Sequence, residues 1–273
     1  QMSFFRGKVV VVTGSSNGIG RATARMFAAV GAKVTITGRN AATLAETKAQ
    51  CIAAGAKEND VLELIGNMND EEFCAKLVHD TVAKFGQLDV LVNNAGAGNF
   101  DMTGKKGLEL PVRNYDDIFH LNVRSVIVIS QHAIPHLEKT KGAIVNVSSI
   151  ASYPFAASEA YYPMSKAALD QLTVQMAGTL ITKGIRVNSV NPGVIKTNFL
   201  ASAGIPEEHT DKMYETLAAT KGTIPLGRAG EPEDIAKIIL FLADSSQSEI
   251  IVGQRIAADG GSVLQNTMLW ADI

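Results

Sequence analysis

Cysteine is nearly absent: Cys51 and Cys74 are the only two among 273 residues, and neither stands in a CxxC or metal-ligand spacing. No disulfide framework is expected, and two isolated thiols suit a reducing, cytoplasmic setting. An excess of one charge is missing too. The formal net charge is -2 with no block of Lys or Arg, so neither nucleic acid nor an anionic membrane surface is an expected partner. Long apolar runs are lacking, since stretches such as VVVV at 9–12 and VIVI at 126–129 are strand- or core-sized. With no repeat, low-complexity tract or Pro/Ser linker either, residues 1–273 read as one domain. What remains is a chain that is 46% hydrophobic, long enough to bury a large core and suited to a small-molecule partner.

β-branched apolar runs at 8–13, 33–37, 61–65, 88–92, 143–147, 186–190 and 255–257 read as seven strands. Helical patterns fall between them, at about 19–30, 41–54, 70–85, 115–137, 161–182 and 232–243. Near-continuous apolar strands alternating with helices predict a parallel sheet covered on both faces, a doubly wound three-layer α/β fold of the Rossmann type. Ligands then meet the carboxyl ends of the strands. The stretch at about 194–227 has only short helical patterns after Asn191-Pro192-Gly193, and reads as a substrate-covering lid.

Directly after the first strand comes TGSSNGIG, with Gly14, Gly18 and Gly20 around Ser16, Asn17 and Ile19. Such a turn lets backbone N–H groups and a helix N-terminus meet a pyrophosphate, and the missing Cβ atoms permit close approach. At the end of the second strand an NAD site wants a carboxylate, whereas this sequence offers Gly38 and then Arg39. A guanidinium suits a 2′-phosphate, so the expected cofactor is NADP(H), with Arg39 assisted by Ser15, Ser16 or Asn40.

YYPMSK, 161–166, places two tyrosines ahead of a lysine. Residues four apart share a helix face, so Lys166 stacks with Tyr162, while the four-apart neighbour of Tyr161 is Ser165. A phenol with a pKa near 10 needs roughly 4 kcal/mol of help to act as a base at neutral pH. A unit positive charge at about 4 Å in an effective dielectric of 20 supplies about that much. Other polar residues gather at the expected strand ends: Ser148 and Ser149 after the fifth strand, Asn93 to Gly96 after the fourth, and Asn122 inside the long helix.

Together these residues resemble the short-chain dehydrogenase/reductase family. The likeness rests on TGxxxGxG at 13–20, NNAG at 93–96, Asn122, Ser149, YxxxK at 162–166, NPG at 191–193 and ADGG at 258–261. In its Gly38-Arg39-Asn40 signature the chain is similar to tropinone-reductase-like NADPH enzymes. The family's serine stands thirteen positions before its tyrosine, which selects Ser149 over Ser148. The resemblance implies that Tyr162 exchanges a proton with the substrate oxygen, that Ser149 holds this oxygen, that Lys166 lowers the phenol and binds the nicotinamide ribose, and that Asn122 anchors a water. It also places Asn67, Asn93, Ala95 and Gly96 at the adenosine side and Pro192, Gly193, Ile195 and Thr197 at the nicotinamide side. A homo-oligomer, dimer or tetramer, built through the two long helices is implied as well.

Two departures stand out. Asn67 occupies a position where the family usually carries aspartate, and the 97–113 connection, with Lys105 and Lys106, is longer than usual and reads as a surface loop. His132 and His136 lack an accompanying Glu, so no metal is expected; Asp70, Glu71 and Glu72 suit a helix first turn. The expected activity is NADP(H)-dependent interconversion of a carbonyl and a secondary alcohol. A pocket wall from Ala151, Tyr153, Phe155, Val194, Phe199, Leu200, Met213 and Tyr214 points to a lipophilic or cyclic ketone. The alternatives are an NAD-dependent alcohol dehydrogenase and a nucleotide-binding regulator without catalysis.

Overall fold

Every residue of the first strand, β1 (Val9–Val12), is buried, because the strand is covered on both sides. Val10 and Val12 enter one hydrophobic cluster and Val9 and Val11 the other, the period-two alternation of a strand. The computed structural model describes residues 4–98, 105–153, 160–220 and 222–265. Its further strands are β2 (Lys33–Gly38), β3 (Val61–Ile65), β4 (Val90–Asn93), β5 (Ala143–Val147), β6 (Arg186–Pro192) and β7 (Arg255–Ala258). They form a seven-stranded, wholly parallel sheet in the order β3-β2-β1-β4-β5-β6-β7. The chain reverses its direction of travel between β1 and β4, and a crevice opens beyond their carboxyl ends.

The helices are α1 (Gly18–Ala29), α2 (Ala41–Ala53), α3 (Glu71–Phe85), α4 (Val112–Phe119), α5 (Ser125–Thr140), α6 (Tyr161–Leu180), α7 (Phe199–Ser202), α8 (Glu207–Ala219), α9 (Pro232–Ala243) and α10 (Ser245–Ser248) among the described residues. Phe27, Leu44 and Ile239 bring α1, α2 and α9 onto one face of the sheet; Leu77, Ile129 and Met176 bring α3, α5 and α6 onto the other. Each such fully buried side chain contributes about 1.5–3 kcal/mol of burial free energy. The acidic first turn of α3 is as expected: Asp70 accepts from the backbone N–H of Glu72 at 2.9 Å, with Glu71 and Glu72 following.

Two expectations need correction. The single helix expected at 115–137 is three pieces, α4, a π-helical segment over His120–Arg124, and α5, which carries Pro135 internally and runs on to Thr140. A five-residue π segment is too short to show a period of its own inside a longer helical pattern. The segment at about 194–227 holds more helix than its pattern suggests, since α8 spans Glu207–Ala219. α8 is held by a small core of its own, in which Leu200, Tyr214, Ile224 and Ala229 are buried.

Candidate active site

The glycine turn follows β1 into the crevice. Gly14 has φ +63°, and a Cβ there would stand 2.8 Å from Ala95 Cα; Gly18 has φ +52°, and its Cβ would meet Thr197 Cγ2 at 3.0 Å. Gly20 lies against the carbonyl of Gly14 and the side chain of Asn94. The turn is held from outside: Asn94 Nδ2 donates to the carbonyls of Thr13 and Gly14 at 2.9 Å each, and Thr13 Oγ1 accepts from the N–H groups of Asn94 and Ala95 at 3.0 Å each. Asn17 caps α1 without a side-chain hydrogen bond, and the first turn of α1 carries no acidic residue. A tight, side-chain-free concavity facing the N–H end of a helix fits a pyrophosphate.

Arg39 projects from the end of β2, exposed and without an ion pair among the described residues. Ser16 lies against Gly38, within reach of the same corner. The other two expected helpers differ. Ser15 is buried, its hydroxyl donating to the carbonyls of Val12 and Thr37 and accepting from Thr37 N–H at 2.9 Å. Asn40 caps α2, accepting from Thr43 N–H at 3.2 Å. The Ser15 hydroxyl is thus engaged on both sides, whereas the cap uses only the oxygen of Asn40 and leaves its amide N–H groups for a ligand. Asn67 is exposed after β3, and its side-chain Oδ1 accepts from Asn69 N–H at 3.1 Å. Asn93 turns inward, where its amide donates to Asn146 Oδ1 at 2.9 Å while its own oxygen is buried without a partner.

The two serines after β5 part company. Ser148 is buried and donates to Lys166 O at 3.2 Å; Ser149 is partly exposed and its Oγ accepts from Ala151 N–H at 3.1 Å. On α6, Lys166 is buried, with Nζ 5.7 Å from the centroid of the Tyr162 ring and donating to Val147 O at 3.0 Å. Val147 O is its one acceptor among the described residues, so the ammonium has N–H groups to offer a ribose hydroxyl. Burial pushes the amine down to about 8, and the carboxylate of Asp170 opposes that shift. Gly96 lets the amine approach: a Cβ there would stand 3.3 Å from both Lys166 Nζ and Asn122 Oδ1.

Asn122 sits in the π segment, and that is what aims it. Its side chain exchanges two 2.9 Å hydrogen bonds with the backbone of Ala97 and donates to Ser165 Oγ at 3.0 Å, tying the end of β4 to α6. Phe199 of α7 lies on Tyr162, ring centroids 5.4 Å apart. Tyr214 of α8 accepts from Thr197 N–H at 3.3 Å and donates to Thr197 O at 2.9 Å, anchoring the segment that holds Ile195. Leu200 and Tyr214 are thus buried in a small core of the 194–227 segment, and Val194 lines a separate cavity of about 170 Å³ bounded by none of Ser149, Tyr162 and Lys166. Phe155 lies outside the described residues.

Asp170 is the site residue that the sequence does not point to; Asn94 and Asn191 lie within the NNAG and NPG motifs, which by themselves assign neither a role. The signal for Asp170 is present, a lone carboxylate in AALDQL one turn beyond Lys166, but it resembles an ordinary solvated helix position.

The arrangement is that of an oxidoreductase with a nucleotide cleft, and comparison with known proteins agrees. A family model described as Enoyl-(Acyl carrier protein) reductase matches residues 14–263. The meso-2,3-butanediol dehydrogenase of Serratia marcescens is 36% identical over 94% of this chain and 95% of its own, and the 3-oxoacyl-(acyl-carrier-protein) reductase of Thermotoga maritima is 34% identical over 94% and 98%. Among solved structures, a short-chain dehydrogenase/reductase of unknown function from Caenorhabditis elegans, with cofactor, has 45% identity and a TM-score of 0.93 over 96% of this chain and 97% of its own. The glucose dehydrogenase of the same organism has 44% identity and a TM-score of 0.81 over 95% and 99%. The chain belongs to the short-chain dehydrogenase/reductase family. It is therefore an oxidoreductase of CH–OH groups and their carbonyl counterparts, of a family that binds a nicotinamide cofactor.

Proposed function

We propose that this protein interconverts a carbonyl compound and a secondary alcohol with NADP(H), using Tyr162 as the general acid/base. The observation that carries this reading is the placement of Lys166, a buried ammonium under the Tyr162 ring with Ser149 at the adjoining end of β5. Lys166 stabilises the phenolate, Tyr162 gives its proton to or takes it from the substrate oxygen, and Ser149 donates a hydrogen bond to that oxygen. When bound, the nicotinamide supplies or accepts the hydride at the carbonyl carbon. Gly14 to Gly20 hold the pyrophosphate, Arg39 and Ser16 the 2′-phosphate, and Asn67, Asn93, Ala95 and Gly96 flank the adenosine side. Pro192, Gly193, Ile195 and Thr197 flank the nicotinamide, and Asn122 positions Ser165 and Ala97 around Lys166. The likeness to tropinone-reductase-type NADPH enzymes rests on Gly38-Arg39-Asn40 alone.

The chain acts as one domain with the segment at about 194–227 as its lid. Ile127 of α5 and Met164 and Val174 of α6 are exposed, which favours a homo-oligomer paired through these helices; light scattering tests it. The two buried free thiols suit the cytoplasm. In Tyr162→Phe, carbonyl reduction followed by NADPH absorbance is expected to fall by about 10²–10⁴ while NADPH still binds. Turnover close to wild type would overturn the proton-transfer role.

A further inference from the structure

Asp170 stands one helical turn beyond Lys166 on the same face of α6 and is 2% exposed. Its oxygens accept from Asn191 Nδ2 at 3.1 and 2.9 Å, and it has no other hydrogen bond and no ion pair among the described residues. A buried carboxylate held by a single amide is a costly group, and an asparagine would satisfy that amide without bringing a charge. The charge needs a counterpart, and the buried cation on its own helix is Lys166.

The remaining groups around the carboxylate do not compete. Tyr153, in the connection after β5, is pushed up by burial and by Asp170; Arg255 of β7 is exposed to water; Asp259 has the same sign and is occupied by the N–H groups of Gly261 and Val263. Asn191 extends the arrangement to the other side of the site. Its Nδ2 is also 3.2 Å from Ser149 O and 3.2 Å from Ser152 Oγ, and its Oδ1 accepts from Ser189 Oγ at 2.9 Å.

We propose that Asp170 is a positioning residue that keeps Lys166 protonated within the protein and, through Asn191, ties the two to the backbone of Ser149. The inference rests on the reading of Lys166 as the cation that lowers the Tyr162 phenol. A unit charge about one turn away, in an effective dielectric near 20, changes a proton affinity by tenfold or more, about one pH unit.

The test is a titration of cofactor-free protein labelled with ¹³C at lysine Cε, with the Lys166 resonance assigned by its loss in Lys166→Met. Asp170→Asn is expected to lower the Lys166 midpoint by at least about one pH unit, and Asp170→Glu to bring it back toward wild type. An unchanged midpoint in folded Asp170→Asn overturns the proposal. Should that variant not fold, Asp170→Ser decides by the same Lys166 midpoint, and no fall overturns the proposal. In turnover, Asp170→Asn should displace a limb of the pH–rate profile, whereas a packing role alone would lower the rate evenly at every pH. The titration needs neither cofactor nor substrate. A coupled Lys166 in a protein whose Tyr162→Phe variant keeps its turnover would therefore sink the proton-transfer reading and leave this coupling standing.

Discussion

Tyr161 and Tyr162 are adjacent in the chain and face different ways from the first turn of α6. Tyr161 is buried and donates from its hydroxyl to Leu110 O at 3.0 Å, pinning the connection after β4, while Tyr162 lies between Phe199 and the Lys166 amine. About 100° of helical rotation separates neighbouring residues, so one tyrosine can be a structural peg and the other face the cleft. Tyr161→Phe leaves one buried carbonyl unpaired, an expected loss of about 1–3 kcal/mol. Urea unfolding should register it, with NADPH affinity unchanged; a collapse of turnover without loss of stability would assign chemistry to Tyr161.

Arg39 is the one cation expected to meet a 2′-phosphate. Charge-assisted hydrogen bonds contribute about 1.5–3 kcal/mol, so Arg39→Asp should reduce the NADPH-to-NADH ratio in kcat/KM by about 10- to 100-fold. An unchanged ratio would shift the assignment to NAD or to another residue.

Gly14 combines a left-handed φ with a Cβ vector aimed at Ala95 Cα, 2.8 Å away. Gly14→Ala therefore strains the turn by about 1–2 kcal/mol from φ alone, with the steric overlap added. Weaker NADPH binding and a lowered unfolding midpoint are both expected; an unaffected variant would mean that the turn can shift.

The buried amine of Lys166 links pH to stability. Its pKa is pushed from 10.5 down to about 8 by burial, so between those values the unfolded chain holds a proton that the folded protein has released. Stability then rises with pH across that window and levels off on either side. Below about 8 both states carry the proton, and the buried ammonium weighs fully on the fold. Urea midpoints at pH 7 and pH 10 should show wild type gaining relative to Lys166→Met. A relative loss at pH 10 would contradict the burial of the amine.

Cys51 and Cys74 are buried, and burial pushes both thiols up to about 11. A disulfide reagent at pH 8 should leave the native protein unmodified and titrate both thiols after denaturation. Rapid modification of either in the native state would place it at the surface.

Much of this was legible in the residues. VVVV at 9–12 read as a strand covered on both sides, which it is, and TGSSNGIG after it needed its glycines where side chains would collide. The π segment was not legible, because five residues are too few to show a separate period, yet it carries Asn122, which bonds Ala97 and Ser165. Nor could the sequence say that Ser15 and Asn40 close a strand end and a helix, leaving Ser16 beside Arg39.

The chain by itself determined whatever depends on near neighbours: strand periodicity, the glycine turn, and the Tyr162–Lys166 spacing, because backbone geometry carries residues four apart onto one helical face. Only the tertiary structure decided which distant polar groups meet, such as Asn94 with Thr13, Tyr214 with Thr197, and Asp170 with Asn191. Those pairings follow from how sheet and helices pack, and a buried polar atom takes whichever partner that packing brings within hydrogen-bond reach.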